Sequence, residues 1–432
     1  MKEDKSALHA KMAIVTTCIM LFTWVGVCWN CLSLFADPII SEWGIARTQF
    51  MLIFTIMSMA NAAMNMFFYG KLQERLGARK LLLIGGPLAT VGFALIALSS
   101  NLTLFYIGGL LFGIAVCGLN NNPTTVIISE WHKKNVGKLI GIPQTVGSIA
   151  GIVFSVVFAA LIAALGWRIP MWIIVAVSAL ATVIIAVIYK GSPRELGEKA
   201  MYEDEVAEEK TEEIDGIPFA RMFRTPQFYF LFVGYLLVPI VAQGMLSNLP
   251  LIAVDLGYGN LSGTILSVAL VASALFFIPG GAIIDRKGTK WMVAICMAML
   301  IAALLILYFM EPSLLMTYGI AVLIGAAYDA CTIAFGISVR EAFGSREYGK
   351  KLGIIAAFDY IGLALGPSVM TLFFDGTGSY DMAYLVFVVL AAVGAVTIFL
   401  GTKRPNNKGG DGNESICIDR KKPGAVDRYP GA

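Results

Sequence analysis

The chain has 432 residues, is 58% hydrophobic and only 14% charged, and carries a formal net charge of +3. Soluble domains run nearer about 45–50% apolar and about 25% charged. That excludes a water-soluble enzyme or a nucleic-acid binder and points to a polytopic membrane protein.

Uncharged or nearly uncharged runs predict twelve spans. They are 12–36, 49–69, 81–99, 103–128, 139–165, 170–189, 227–254, 262–284, 291–310, 313–339, 352–374 and 382–401. Each holds roughly the ~20 apolar residues that cross a hydrocarbon core. Span 1 is too long for a signal-peptide core, so it is read as a first span. Its Cys28-x-x-Cys31 has redox spacing, but within a spanning helix it reads as apolar packing. The run 81–129 has no charge for 49 residues and is divided at Ser99-Ser100-Asn101, a polar turn signal. Gly147-x-x-x-Gly151 and Gly362-x-x-x-Gly366 give spans 5 and 11 smooth faces for close packing. Pro123, Pro143, Pro239, Pro250, Pro279 and Pro367 lie inside spans and are expected to bend them. Asn101-Leu-Thr and Asn260-Leu-Ser match the glycosylation sequon but sit close to the membrane.

This gives an all-α membrane protein in five parts: an N-tail 1–11, a six-span half 12–189, a linker 190–225, a second six-span half 226–401 and a disordered tail 402–432. The linker holds eight acidic residues between Glu203 and Asp215 and reads as a solvated connector. Lys and Arg fix the orientation. Thirty fall in the termini and the even-numbered loops; only Arg47 and Arg168 fall in the others. The positive-inside rule therefore places both termini in the cytoplasm, with the cell membrane as the expected location.

One loop is written twice. Gly70–Lys80 and Gly281–Lys290 share G-x-x-x-[Asp/Glu]-Arg-x-Gly-x-[Arg/Lys]. Gly70, Glu74, Arg75, Gly77 and Arg79 correspond to Gly281, Asp285, Arg286, Gly288 and Lys290 at an offset of 211. Gly137-Lys138-x-x-Gly141 and Gly166 recur at 212, as Gly349-Lys350-x-x-Gly353 and Gly378. A repeat of half the chain is a known transporter architecture. The glycines are expected to allow a tight turn and close helix approach, the acid to cap a helix N-terminus, and the basic residues to meet headgroups.

This pattern resembles the loop signature of the major facilitator superfamily, between helices 2 and 3 and again between 8 and 9; Ala78 stands where the family usually has Arg. The resemblance implies the twelve-helix fold of two pseudo-symmetric six-helix bundles. It also implies a central cavity lined by spans 1, 4, 7 and 10, with 2, 5, 8 and 11 beside them. Within the superfamily, three stretches look like the monocarboxylate and oxalate:formate branch: Phe35-x-Asp-Pro-x-x-x-Glu-Trp-Gly-x-x-Arg47, Gly166-Trp167-Arg168 and Ala356-Ala357-Phe358-Asp359. That branch holds a carboxylate with basic residues in helices 8 and 11. Here span 8 has none before Arg286, and Asp359 stands near the place of the helix 11 Lys.

The residues that invite a role are polar groups inside spans. Asp329 in span 10 and Asp359 in span 11 each cost about 2.5–3.5 kcal/mol if ionised at a helix centre. Asp329 lies ~16 Å from Arg340 along its helix, and Asp359 ~12 Å from Lys351. Both therefore sit part-way in from the cytoplasmic end and are expected to face one cavity. There at least one of them is expected to exchange a proton or hold a cationic group of the substrate. A neutral second tier is Trp29 and Asn30 on span 1, Asn61 and Asn65 on span 2, Asn121 (with Asn120 and Asn122) on span 4, Gln144 on span 5, Gln243 and Asn248 on span 7, and Tyr328 and Tyr360 beside the aspartates. Amides bind either sign of charge and suit a small polar solute. The structural alternative for each is an interhelical hydrogen bond.

The expected function is secondary transport of a small polar metabolite by alternating access, proton-coupled as symport or antiport. The alternatives are an organic-anion carrier and a transport-dead sensor. The expected partners are a small solute, protons and the lipid bilayer, with no nucleic acid, cofactor or metal, and the expected working unit is a monomer. No P-loop or H-E-x-x-H is present, and the two histidines, His9 and His132, are expected in solvated cytoplasmic segments, so no enzyme site can be assembled.

Overall fold

A computed structural model describes residues 2–132, 136–201, 216–310, 312–344 and 346–402, with backbone only for 2–4, 137, 277, 278, 282, 285, 329–333, 348 and 349. The acidic run 203–215 and the tail after 402 lie outside the described residues.

Among the described residues the helices make twelve long passes. Span 1 runs through Lys2–Met20, Leu21–Trp29, Leu32–Phe35 and Ala36–Trp43. Span 2 is Arg47–Ala63 and Met64–Tyr69, leading into Gly70–Leu98; a non-helical Gly77 divides that last helix, and span 3 is the part beyond it. Span 4 is Leu102–Val116 followed by Asn121–Trp131. The rest are Val136–Leu165, Arg168–Ile188, Pro226–Asp255, Ser262–Lys287, Thr289–Phe309, Leu314–Phe343, Tyr348–Thr377 and Asp381–Gly401. With an even number of passes both termini lie at one end, the terminal end; the opposite end is the far end. Exposed Leu180, Val183 and Val187 share one face of span 6, the apolar stripe that a bilayer would cover.

The turn between spans 2 and 3 rests on Gly77 at φ +72°, and its repeat on Gly288 at φ +85°. Only glycine adopts such angles freely. Gly70 and Gly281 do not share this role: a Cβ on either would meet open space. Glu74 is exposed, and the carboxylates placed at these turns among the described side chains are Glu195, which fills the space beside Gly77, and Glu341, whose Oε1 accepts from the Thr289 N–H at 3.5 Å.

Glycine faces bring the helices together as the small-residue patterns predict. A Cβ on Gly26 of span 1 would lie 2.5 Å from the Gly147 carbonyl oxygen of span 5. In the second half, a Cβ on Gly244 of span 7 would lie 2.9 Å from the Gly366 carbonyl oxygen of span 11. Between the halves, span 2 packs on span 11 and span 5 on span 8. Thr55 Oγ1 donates to the Ala364 carbonyl at 2.6 Å, and Ser267 Oγ to the Ile152 carbonyl at 3.0 Å.

Two expectations about the terminal end change. The N-tail is helical and docked, with Ser6 Oγ donating to the Lys199 carbonyl at 2.7 Å and His9 Nδ1 3.0 Å from Glu198 Oε2. His132 is buried against span 1, its Nε2 3.3 Å from the Ala10 carbonyl oxygen. The cause is the linker. Its first residues fold back over the N-half, and the Met201 N–H donates to the Trp131 carbonyl at 2.8 Å.

Candidate functional site

The backbone loses its regular helical bonding where polar residues gather. Leu21–Trp29 is a π-helical stretch immediately before Asn30, and Met64–Tyr69 is another containing Asn65. Span 4 breaks between Val116 and Asn121. There Asn120 takes an extended conformation, and its Oδ1 accepts from the Asn122 N–H at 3.0 Å. Such irregularity inside a membrane is tolerated where the backbone is buried in protein or lines a cavity.

Between the halves, a cavity is lined by Trp29, Asn30 and Ser33 of span 1, Phe54 of span 2, Gln243 and Ser247 of span 7, and Tyr328 of span 10, with Leu246, Leu266 and Leu270 completing the wall. None of these side chains is charged. The Tyr328 hydroxyl donates to Gln243 Oε1 at 2.8 Å, and Gln243 Nε2 donates to Ser247 Oγ at 2.7 Å. The Trp29 ring meets Phe54 edge-on at 6.3 Å. The cavity is about 10 Å³, room for a single water, so a solute at this depth requires the halves to move apart.

A second polar group joins spans 2, 4 and 11. Asn65 Nδ2 donates to Asn61 Oδ1 at 2.7 Å, the i,i+4 pair expected from the sequence. Asn122 Nδ2 donates to Asn65 Oδ1 at 2.9 Å and reaches the Tyr360 hydroxyl at 3.5 Å; Asn120 Nδ2 lies 3.4 Å from Asn61 Oδ1. The ladder runs from one half to the other, and its last member adjoins Asp359. The Asp359 side chain is partly exposed, and none of the hydrogen bonds described for these residues involves its carboxylate. The Asp329 backbone lies in span 10, and its side chain is outside the described residues.

The other candidates divide. Asn121 is exposed, and its neighbours Asn120 and Asn122 make the ladder instead. Gln144 is half-buried on span 5. Asn248 is fully buried and donates to the Gly244 and Pro367 carbonyls at 2.8 and 3.2 Å, an interhelical bond within the C-half rather than a cavity contact. In the repeated loop, Arg75 and Arg286 are exposed, Arg79 is half-buried, and Lys290 Nζ stands 5.2 Å over the Phe399 ring. The Asp285 side chain is outside the described residues.

Sequence reasoning missed three sets of residues. Glu341, which caps span 9, has Glu130 as its counterpart at the same 211-residue offset as the loop motif, so the repeat could have found both. Glu195 left no such signal. The third set surrounds Arg47 at the far end and joins residues more than 200 apart in sequence. Two stretches quoted for their branch resemblance also meet: Glu42 accepts from Trp167 Nε1 and from Arg168 Nη1, each at 2.5 Å.

Comparison with known proteins agrees with this architecture. The family model described as Major Facilitator Superfamily matches residues 12–272 and 259–425. The Glucose transporter GlcP of Staphylococcus epidermidis is 26% identical over 396 residues, 82% of this chain and 85% of that protein. Multidrug resistance protein 2 of Bacillus subtilis is 20% identical over 338 residues, 77% and 82% of the two chains. Among solved structures, the nucleoside transporter NupG superposes with a TM-score of 0.72 at 13% identity, covering 92% of this chain and all of that one. A bacterial homologue of the human lysosomal transporter Spinster, inward-facing and occupied, superposes with a TM-score of 0.68 at 15% identity, covering 93% and 97%. These likenesses reach the superfamily and its fold.

Proposed function

The chain belongs to the major facilitator superfamily, whose members are secondary transporters of small solutes, and on that premise we propose that it moves a small polar metabolite by alternating access, coupled to protons through Asp359. The observation that carries this reading is the uncharged, amide- and aromatic-rich cavity between the halves. Its Gln243, Ser247, Asn30 and Tyr328 offer both donors and acceptors. Relatives named for glucose and nucleoside transport support a neutral polar solute. The far end is bonded shut, whereas Asn122 to Tyr360 is the one inter-half hydrogen bond described towards the terminal end. We read this as the state open towards the termini. The thirty basic residues on that side support placing it in the cytoplasm.

Asp359 is the coupling candidate because a carboxyl group in a membrane is functional by default, and the apolar run 352–374 around it holds no Lys or Arg; Lys351, earlier on the same helix, donates to the Phe343 carbonyl at 2.9 Å instead. The organic-anion reading draws on the branch resemblance and on the Asn121–Trp131 helix, whose N-terminus lies inside the membrane. The uncharged cavity weighs against it. The test is uptake by the full chain in proteoliposomes, with and without an imposed pH gradient, over a panel of sugars, nucleosides and monocarboxylates. Gradient-driven accumulation of a neutral solute that is lost in Asp359→Asn supports the proposal. Accumulation of monocarboxylates alone, or gradient-independent uptake unchanged in Asp359→Asn, overturns it.

A further inference from the structure

Among the described residues, the strongest bonding between the halves lies at the far end and centres on Arg47. Its Nη1 and Nη2 donate to Asp255 Oδ2 and Oδ1, each at 2.6 Å, in a bidentate pair from the start of span 2 to the end of span 7. Nη1 also donates to the Tyr380 hydroxyl at 3.1 Å. The guanidinium carbon stands 3.7 Å from the centroid of the Phe374 ring. The planar fork, the aromatic face and the carboxylate together suit arginine and not lysine.

A second carboxylate works on the backbone. Asp375, at the end of span 11, accepts the Arg47 N–H at 3.1 Å and the Thr48 N–H at 2.8 Å. These are N–H groups at the start of span 2, which have no partner within their own helix. The ordinary N-cap position is Ala46, which has no side-chain acceptor. Span 2 of one half is thus capped by a residue of the other, with an anion at the positive end of the helix dipole.

The arrangement is also one-sided. The N-half supplies the cation and the uncapped helix; the C-half supplies both acids, the phenol and the aromatic face. At the 211-residue offset Arg47 corresponds to Tyr258, so the repeat holds no second copy. Arg47 and Asp255 are also more enclosed than ordinary surface ion pairs, with side chains 14% and 32% exposed. Charge-assisted, bidentate bonds of this kind are the strong ones.

We infer that Arg47, Asp255 and Asp375 form a lock on the far end, in which the ion pair and the cap supplied across the interface must both break each time that end opens. The lock's strength then sets how the protein divides its time between its two facing states. Arg47 is a positioning residue here and does not touch solute. The inference rests on the alternating-access reading, but its test does not depend on the identity of the solute.

Ser368 offers the probe. It sits on span 11 beneath the lock, 8% exposed, its Oγ 2.8 Å from Thr55 Oγ1 of the other half. Ser368→Cys is introduced into the full chain in proteoliposomes, and labelling by a membrane-impermeant thiol reagent from the far side is measured above the background of the native cysteines. In that setting Arg47→Gln and Asp255→Asn should each raise the labelling rate about tenfold, the ~1.4 kcal/mol of one decade. Asp375→Asn should raise it less, since an amide oxygen still accepts from N–H groups. Arg47→Lys, which keeps the charge but not the fork, should fall between. The exchange Arg47→Asp with Asp255→Arg should return the rate towards that of the parent. Unchanged labelling in Arg47→Gln and Asp255→Asn, in protein that still elutes as a folded species, overturns the lock. So does a charge exchange that labels as fast as either single variant.

Discussion

Gly263, near the start of span 8, gives a direct way to push the halves apart. A Cβ placed on it would fall inside the contact radius of the Ser155 carbonyl oxygen and Ala159 Cβ, both on span 5 of the other half. It would stand roughly 1 Å closer than van der Waals packing allows. Gly263→Ala therefore acts as a one-carbon wedge. The colliding atoms are backbone and Cβ, which cannot rotate away, so the helices must separate. Overpacking of this kind costs about 1–3 kcal/mol. On the alternating-access reading this contact is lost when the far end opens, so the strain falls on one facing state and spares the other. A penalty of that size shifts the balance towards the far-open state by roughly 5–150-fold. Gly325→Ala is the control. Its Cβ would strike the Ala269 carbonyl oxygen of span 8, within the same half, so the strain is present in both facing states. The assay is far-side labelling of Ser368→Cys in both backgrounds, beside thermal unfolding in detergent. Gly263→Ala should raise labelling with little loss of Tm, and Gly325→Ala should lower Tm with labelling unchanged. If Gly263→Ala lowers Tm as much as Gly325→Ala and leaves labelling at the parent rate, the reasoning fails.

Three further outcomes follow from single contacts. Trp24 Nε1 donates to Ser178 Oγ at 3.0 Å, and Ser178 pairs with Thr90 Oγ1 at 2.8 Å, tying together spans 1, 6 and 3. Trp24→Phe should cost about 1–3 kcal/mol, read as a lower Tm with solute affinity retained. Asn65→Leu removes the centre of the amide ladder and should weaken solute binding, measured as the ligand-induced rise in Tm, by more than it lowers the Tm of the empty protein. Glu347, in the loop before span 11, accepts the Phe219 N–H at 2.9 Å and pairs with Lys350 at 3.2 Å, and these hold its carboxyl below the usual carboxylate range. A lowered folded pKa contributes stability that is present above the unfolded value and lost as pH falls through the folded one. Proteolysis around 216–224 should therefore rise on acidification below about pH 4 in the parent. In Glu347→Gln it should start higher and show less of this rise.

Much of this protein is local and additive, and that part is legible in the chain. Twelve apolar runs become twelve passes because each helix satisfies its own backbone hydrogen bonds and needs only ~20 apolar residues to cross. The division at Ser99–Asn101 holds because Asn101 caps the next helix, accepting the Leu104 N–H at 2.9 Å. Gly77 and Gly288 are legible through the repeat, the glycine faces of spans 5 and 11 through their G-x-x-x-G spacing, and the Asn61–Asn65 pair through its separation of one helical turn. Other features depend on which spans meet, and no local pattern records that. The linker's return over the N-half buries His132 and places Glu195 beside Gly77. Asn248 turns out to bond span 11 rather than the cavity. Arg47 reads in sequence as a lone basic residue in a short loop. Only the packing of span 2 against span 11 brings it to two carboxylates 208 and 328 residues away. Hydropathy is a property of each segment, whereas the lock, the ladder and the cavity are properties of the interface between the halves. Their geometry is set once the halves dock.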